Sequence, residues 1–139
     1  MNIDCKTLIR EAIIARENAY APYSDFLVGA ALLTAGGKIY RGCNIENAAY
    51  TPTNCAERTA FFTAAAAGER EFIALAVVGW KRNGVPEFVF PCGVCRQVMM
   101  EFCSPETFTV ITAAGEDKYK TTLLRELLPS GFGPANLSG

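Results

Sequence analysis

Three cysteines and one glutamate stand near the starts of two predicted helices. Cys55 and Glu57 belong to the stretch C-A-E-R-T-A, and Cys92 and Cys95 belong to P-C-G-V-C-R-Q. Three thiolates can hold zinc and leave the fourth tetrahedral position open for water, as catalytic zinc sites do. A glutamate beside that water can carry its proton. These residue types therefore indicate a zinc centre that performs hydrolysis.

The Cys92 and Cys95 pair has two other interpretations. A thioredoxin-type redox pair is expected near the beginning of such a fold, whereas this pair follows earlier elements. A structural zinc site needs a fourth ligand, usually from a second Cys-x-x-Cys pair, and the chain has no such pair. It also has no histidine, which excludes Ser-His and Cys-His nucleophilic pairs and all histidine ligands. Joining Cys55 to the pair is the interpretation that we favour.

Arg58 follows the glutamate directly and is expected beside the metal. Three thiolates and Zn²⁺ sum to a charge of -1, which would weaken the metal as a Lewis acid. Two helix N-termini, each carrying about half a positive charge, together with one arginine would offset that charge. The alternative for Arg58 is an ordinary solvated position on the helix.

The elements that must position these residues alternate between helices and strands. Apolar spacing and turn residues predict the order α-β-β-α-β-α-β-β-α, and A-G-G predicts a hairpin turn between the first two strands. Strands separated by helices imply an α/β fold with a partly parallel sheet. The predicted elements are helix 7–18, strands 26–34 and 38–45, helix 55–67, strand 72–80, helix 92–102, strands 107–114 and 117–122, and helix 123–128.

Composition limits the classes of partner. The chain has 139 residues, of which 50% are apolar and 19% charged, as expected for one globular domain. Its longest apolar run, at 72–80, is too short to span a bilayer, and Asp4, Arg10 and Glu11 interrupt any secretory signal. We therefore expect a cytoplasmic protein with reduced cysteines and no membrane partner. A net charge of -1 and a pI near 5.5 argue against nucleic acid as the partner.

The two motifs together resemble those of the cytidine deaminases, and the resemblance covers nearly the whole chain. Most deaminases that act on nucleic acids, nucleotides or guanine have His-x-Glu in the first motif, whereas Cys-Ala-Glu resembles the short, tetrameric cytidine deaminases. The resemblance implies a three-layer α/β/α fold around a mixed five-stranded sheet, in one domain over 1–139. It also implies one zinc ion per chain, with Glu57 moving protons, and hydrolysis of cytidine and deoxycytidine to uridine and deoxyuridine in pyrimidine salvage.

The resemblance also assigns residues that bind the nucleoside. Asn44 and Glu46 in C-N-I-E-N would share one face of a strand and hydrogen-bond the ribose hydroxyl. Without the resemblance, both would be interpreted as exposed polar residues at a strand end. Phe26 in Y-S-D-F-L-V-G-A would lie beside the pyrimidine, and the backbone of Ala56 would contact the base.

The C-terminal tail, residues 129–139, is expected to serve a neighbouring subunit of a homotetramer. Phe132 in L-L-P-S-G-F resembles an aromatic residue that enters the neighbour's site. Phe90 stands where the family more often has serine, which we expect to alter packing near the site without changing the zinc ligands. The remaining cysteines are interpreted as buried or partly buried thiols, and they are Cys5, Cys43 and Cys103.

Three alternative functions remain open on the sequence alone. A blasticidin S deaminase shares the motifs and differs in substrate. A structural zinc or interaction module would bind metal tightly and deaminate nothing. A deaminase that edits RNA or DNA needs a basic groove, against which the acidic pI argues.

Overall fold

The computed structural model describes residues 2–138, so Met1 and Gly139, the ends of the predicted domain, lie outside the described residues. The order of elements is the predicted one, with a short 3-10 turn near the C-terminus in addition. The helices are α1 (Cys5–Arg16), α2 (Ala56–Ala66), α3 (Gly93–Phe102) and α4 (Leu124–Leu127), the strands are β1 (Phe26–Thr34), β2 (Ile39–Cys43), β3 (Phe72–Lys81), β4 (Thr109–Ala113) and β5 (Tyr119–Leu123), and the 3-10 turn is Pro134–Asn136.

The described strands form one mixed sheet in the order β2-β1-β3-β4-β5. The pairs β1–β2, β1–β3 and β4–β5 are antiparallel, and β3–β4 is parallel, with α3 in the crossover between them. This arrangement confirms the predicted α/β class and the mixed five-stranded sheet. Among residues 2–138, no helix has the length and apolar character needed to cross a bilayer.

Helices cover both faces of the sheet and give the predicted three layers. Neighbouring residues of β1 point to opposite faces, as the period of two requires. Ala31 packs in a cluster with Ile9 of α1, whereas Leu32 packs in a cluster with Phe61 of α2 and Met99 of α3. All five side chains are almost fully buried. The two helices that start at the predicted zinc ligands, α2 and α3, therefore share one face of the sheet.

Gly42 allows α2 to lie directly against β2. A Cβ atom at this position would lie 2.3 Å from the carbonyl oxygen of Ala56 and 2.4 Å from the backbone nitrogen of Ala60. Both are backbone atoms, which cannot move aside as a flexible side chain can. The absence of a side chain at Gly42 thus sets the height of the first turn of α2 above the sheet.

The strand predicted over 38–45 ends earlier, at Cys43. At Asn44 the backbone N–H still donates to the carbonyl of Val28, at 3.3 Å, but the N–H of Val28 donates to the Asn44 side-chain oxygen, at 2.9 Å. The backbone carbonyl of Asn44 instead accepts from the N–H of Tyr20, at 2.9 Å. A side-chain amide thus replaces one partner in the sheet and lets the chain leave it.

Candidate active site

The three predicted cysteines converge on one point. The Cys55 and Cys92 sulfur atoms are 3.8 Å apart, the Cys92 and Cys95 sulfur atoms are 3.5 Å apart, and all three lie within 4.8 Å of one another. Tetrahedral zinc with bonds of about 2.3 Å to sulfur places two thiolates about 3.8 Å apart. The sulfur separations therefore fit a zinc ion.

The local fold explains why the thiols face one another. Cys55 and Cys92 are the residues immediately before α2 and α3, both have extended backbone dihedrals, and neither side chain caps its helix. Cys95 lies in the first turn of α3. Free N–H groups at both helix starts bring partial positive charge to the cluster, which favours thiolates.

Arg58 contacts the sulfur cluster. Its Nη2 lies 3.3 Å from the sulfur of Cys55. Its Nε is buried and has no hydrogen-bond partner among residues 2–138. Hydrogen bonding from the Cys95 thiol, with a smaller contribution from Arg58, lowers the pKa of Cys55 to about 5 against the opposing effect of burial. Soft sulfur donors with a compensating cation suit zinc and do not suit the oxygen-seeking ions Mg²⁺ and Ca²⁺.

Glu57 lines the same cavity as Cys55 and Cys92, although positions two apart on a helix point in different directions. Only 4% of the Glu57 surface is exposed to solvent. Burial, with a smaller contribution from the neighbouring Cys55 charge, raises the pKa of its carboxyl to about 7. A carboxyl with this pKa can both accept and release a proton near neutral pH.

A cavity of about 290 Å³ opens beside these residues. Its wall contains six of the predicted site residues, which are Phe26, Asn44, Cys55, Ala56, Glu57 and Cys92. Six further residues complete the wall, and they are Val28, Thr53, Asn54, Val77, Val89 and Phe90. Sequence reasoning did not assign these six to the site.

Some of the missed residues carried a sequence signal. Val28 lies two positions after Phe26 on β1, so the period of two places both on one face. Thr53 and Asn54 directly precede Cys55. Phe90 was expected to change the packing near the site, and its ring in fact lines the cavity itself. No local pattern pointed to Val77 or Val89, since only the sheet and the loop after it bring them here.

Asn44 holds the start of β1 from within the cavity wall. Its side-chain nitrogen donates to the carbonyl of Phe26, at 2.8 Å, and its side-chain oxygen accepts from the N–H of Val28, at 2.9 Å. The residue is only 9% exposed. An amide nitrogen has two N–H groups, so one of them has no hydrogen-bond partner among residues 2–138.

Glu46 lies next to the main cavity, in a depression that it shares with Tyr23, Ser24, Tyr50 and Thr53. Its carboxylate accepts from the N–H of Tyr23, at 2.9 Å, from the N–H of Ser24, at 3.2 Å, and from the Ser24 hydroxyl. Burial opposes ionisation, but these hydrogen bonds hold the pKa of Glu46 below its ordinary value. The carboxylate thus organises the loop before β1.

Phe132 does not line the cavity of its own chain. Its side chain is 57% exposed, and its carbonyl accepts from the side-chain nitrogen of Gln97, at 2.8 Å. The other three cysteines lie outside the sulfur cluster. Both Cys43 and Cys103 are partly buried, and burial raises the pKa of their thiols, as expected of inert groups.

Comparison with known proteins gives one consistent result. The sequence pattern of the cytidine and deoxycytidylate deaminase zinc-binding region matches residues 3–112. The cytidine deaminase of Sporosarcina psychrophila is 52% identical over 136 residues, which cover 98% of this chain and 96% of that protein. The cytidine deaminase of Halalkalibacterium halodurans is 51% identical over 130 residues, which cover 94% of this chain and 95% of that protein.

Solved structures of cytidine deaminases also match the fold of this chain. The crystal structure of cytidine deaminase from Burkholderia pseudomallei superposes with a TM-score of 0.82 at 51% identity, covering 91% of this chain and 97% of that one. By sequence, by fold and by its three-cysteine zinc site, this chain belongs to the cytidine and deoxycytidylate deaminase family.

Proposed function

We propose that this chain is a zinc-dependent hydrolase that converts cytidine and deoxycytidine to uridine and deoxyuridine with release of ammonia. The observation that carries the proposal is the burial of Glu57 in a nucleoside-sized cavity beside three converging cysteines. Relatives of about half-identical sequence are cytidine deaminases. We place the reaction in the salvage of pyrimidine nucleosides and the protein in the cytoplasm.

Glu57 is the group that moves protons. Zinc held by Cys55, Cys92 and Cys95 supplies a Lewis acid that makes water nucleophilic at neutral pH. Glu57 accepts a proton from the attacking water and delivers it to the ring nitrogen next to the reacting carbon. A second proton passes through the same carboxyl to the amino group, whose bond to carbon breaks as ammonia leaves. One water is consumed, and Glu57 ends in its starting state.

Four residues would position the nucleoside. Phe26 presents an aromatic ring to the base, and Ala56 offers its backbone at the start of α2. The remaining N–H of Asn44 suits a sugar hydroxyl. A carboxylate has about four acceptor sites, of which Glu46 uses three on the loop before β1, so one is left for the ribose.

We also propose that the chain works as a homotetramer in which residues 129–139 complete a neighbour's site. The exposed ring of Phe132, which lies outside its own cavity, supports this proposal. Exposed apolar side chains on the ligand-bearing helices point the same way, since Phe62 of α2 is 46% exposed and Val94 of α3 is 57% exposed. We therefore propose that the partners of this chain are nucleosides and further copies of itself.

The test is ultraviolet-monitored deamination by purified protein of known zinc content. Cytidine and deoxycytidine should both be consumed, and blasticidin S should be consumed far more slowly. Faster turnover of blasticidin S would assign the chain to that antibiotic. One bound zinc per chain with no deamination of any of the three would favour a structural zinc module.

A further inference from the structure

Arg96 holds two separate parts of the chain with one guanidinium group. Its Nε donates to the carbonyl of Pro91, at 2.7 Å, and its Nη1 donates to the carbonyl of Leu127, at 2.6 Å. Pro91 directly precedes Cys92, and Leu127 is the last residue of α4. Arg96 itself directly follows Cys95 on α3. One side chain therefore joins both cysteine ligands of α3 to the C-terminal helix.

Cys92 needs such a restraint more than the other two ligands do. Cys95 is almost fully buried within α3 and Cys55 is half-buried, whereas Cys92 is exposed. The ten residues before Cys92, at 82–91, contain no regular helix or strand. A ligand at the end of an irregular segment must lose much conformational freedom when it binds metal, unless the fold has already fixed it.

The hydrogen bonds of Arg96 are suited to this task. Proline has no N–H group, so its carbonyl is the only backbone polar group through which Pro91 can be held, and Pro91 is buried. The planar guanidinium presents its N–H donors to two separate acceptors in a fixed geometry, which the ammonium of lysine, whose donors share one nitrogen, does not reproduce. Hydrogen bonds from a charged donor are also stronger than those between neutral groups.

We propose that Arg96 is a positioning residue that fixes Cys92 for zinc and couples zinc affinity to the seating of α4. The proposal rests on the proposed function only in taking Cys55, Cys92 and Cys95 as the zinc ligands. Arg96 does not touch the substrate cavity. It acts through the carbonyl before Cys92 and through the carbonyl that ends α4.

Gln97, the next residue of α3, provides a matched comparison. Its side chain donates to the carbonyl of Phe132, five residues after the acceptor that Arg96 uses. It makes no hydrogen bond to the segment before Cys92. Arg96 and Gln97 thus each hold one point of the C-terminal segment. Of these two residues, only Arg96 also holds the segment directly before Cys92.

The experiment compares Arg96→Lys, Arg96→Gln and Gln97→Ala in the full chain. Zinc affinity is measured by competition with a chelator, and Co²⁺ is substituted for zinc to record its thiolate and ligand-field absorption bands. Both Arg96 variants should bind zinc about 10-fold or more weakly, as loss of a group that orients a metal ligand typically does. Their cobalt bands should shift, because the sulfur positions change. Gln97→Ala should keep the parent's zinc affinity and cobalt spectrum.

Parent-like zinc affinity and an unchanged cobalt spectrum in Arg96→Gln would overturn the proposal. Equal losses in Gln97→Ala would overturn it as well, because they would indicate general loosening of α3. If Arg96→Gln does not fold, Arg96→Lys, which keeps the charge and one hydrogen bond, decides by the same two readouts. Neither readout depends on cytidine turnover, so absence of deamination would leave this inference standing.

Discussion

At the scale of single residues, the chemistry depends on where a thiol stands relative to the start of a helix. Cys55 and Cys92 directly precede helices and keep their thiols free of capping hydrogen bonds. Cys103 directly follows the last residue of α3 and is partly buried, away from the cluster. We therefore expect the same side chain to hold metal at one end of α3 and to be inert at the other.

This difference predicts the behaviour of two alanine variants. Cys92→Ala should lose stoichiometric zinc and deaminase activity together, because two thiolates do not hold the ion as three do. Cys103→Ala should keep both. Metal analysis of dialysed protein, followed by a cytidine assay, measures the two properties. Stoichiometric zinc in Cys92→Ala would contradict the ligand set.

The cluster of three cysteines and the buried position of Glu57 beside it could be predicted from two short motifs, because each motif places its residues within one helical turn. Asn44 was assigned to the ribose, and the structure shows in addition that its amide holds the start of β1. Glu46 is likewise engaged by the loop before β1. These contacts join segments about 20 residues apart, and no local spacing encodes them.

At the scale of elements, the types of helix and strand followed from apolar periodicity, and their ends did not. Helix α1 begins at Cys5 rather than Thr7, because the Asp4 side chain accepts from the N–H of Thr7, at 3.1 Å, and caps the helix. Strand β2 ends at Cys43 because the Asn44 side chain takes over one sheet hydrogen bond. In both places one side-chain hydrogen bond decides the boundary.

The contact between Gly42 and α2 predicts a stability effect at the element scale. Gly42→Ala would place a methyl group 2.3 Å from the Ala56 carbonyl, so α2 must move away from the sheet. We expect the free energy of unfolding to fall by about 2 kcal/mol or more, as overpacking against backbone does. Urea unfolding of the zinc-loaded proteins measures it.

Gly36→Ala is the matched control for that variant. Gly36 lies in the β1–β2 turn, where a Cβ atom would meet only the Thr34 hydroxyl at 3.8 Å. The free energy of unfolding of the Gly36→Ala protein should differ from that of the parent by less than about 0.5 kcal/mol. Equal effects of the two substitutions would show that the helix does not depend on the absence of a side chain at Gly42.

Arg16 joins α1 to the ends of two strands and predicts a second element-scale effect. Its guanidinium donates to the carbonyls of Leu27, Trp80 and Lys81, at 3.1, 2.8 and 3.1 Å, and lies 4.0 Å above the Trp80 ring. Arg16→Met should lower the free energy of unfolding by about 2 kcal/mol or more, because these carbonyls lose their donor. It should also raise KM for cytidine, since Phe26 precedes Leu27.

Arg10→Ala provides the comparison on the same helix. Arg10 is exposed and pairs with Glu116 at the surface, so its loss should cost less than about 1 kcal/mol. The KM of the Arg10→Ala protein for cytidine should equal that of the parent. A parent-like KM in Arg16→Met would show that this arginine does not help to position Phe26.

At the scale of the whole molecule, we propose that one subunit completes the active site of another. Phe132→Ala should lower kcat/KM for cytidine about 10-fold or more, as truncation of an aromatic anchor commonly does. Leu137→Ala, in the same tail and 78% exposed, should leave kcat/KM unchanged. The size of the assembly, measured by light scattering, shows whether either variant dissociates.

Mixed assemblies test the same idea more sharply. Subunits with Glu57→Gln carry an intact Phe132, and subunits with Phe132→Ala carry an intact Glu57. Assemblies formed by refolding the two variants together should be more active per intact Glu57 than the Phe132→Ala protein alone. Activity that never rises above that of the separate variants would contradict a site shared between subunits.

The most direct test of the central claim, that Glu57 moves protons at a three-cysteine zinc site, is the cytidine deamination rate of Glu57→Gln at measured zinc content. We predict one zinc per chain and a rate about 10² to 10⁴ times below that of the parent, the usual contribution of a general acid-base group. Glu101→Gln, which removes an exposed carboxylate of α3 outside the cavity, should match the parent. A near-parental rate in zinc-loaded Glu57→Gln would contradict the account.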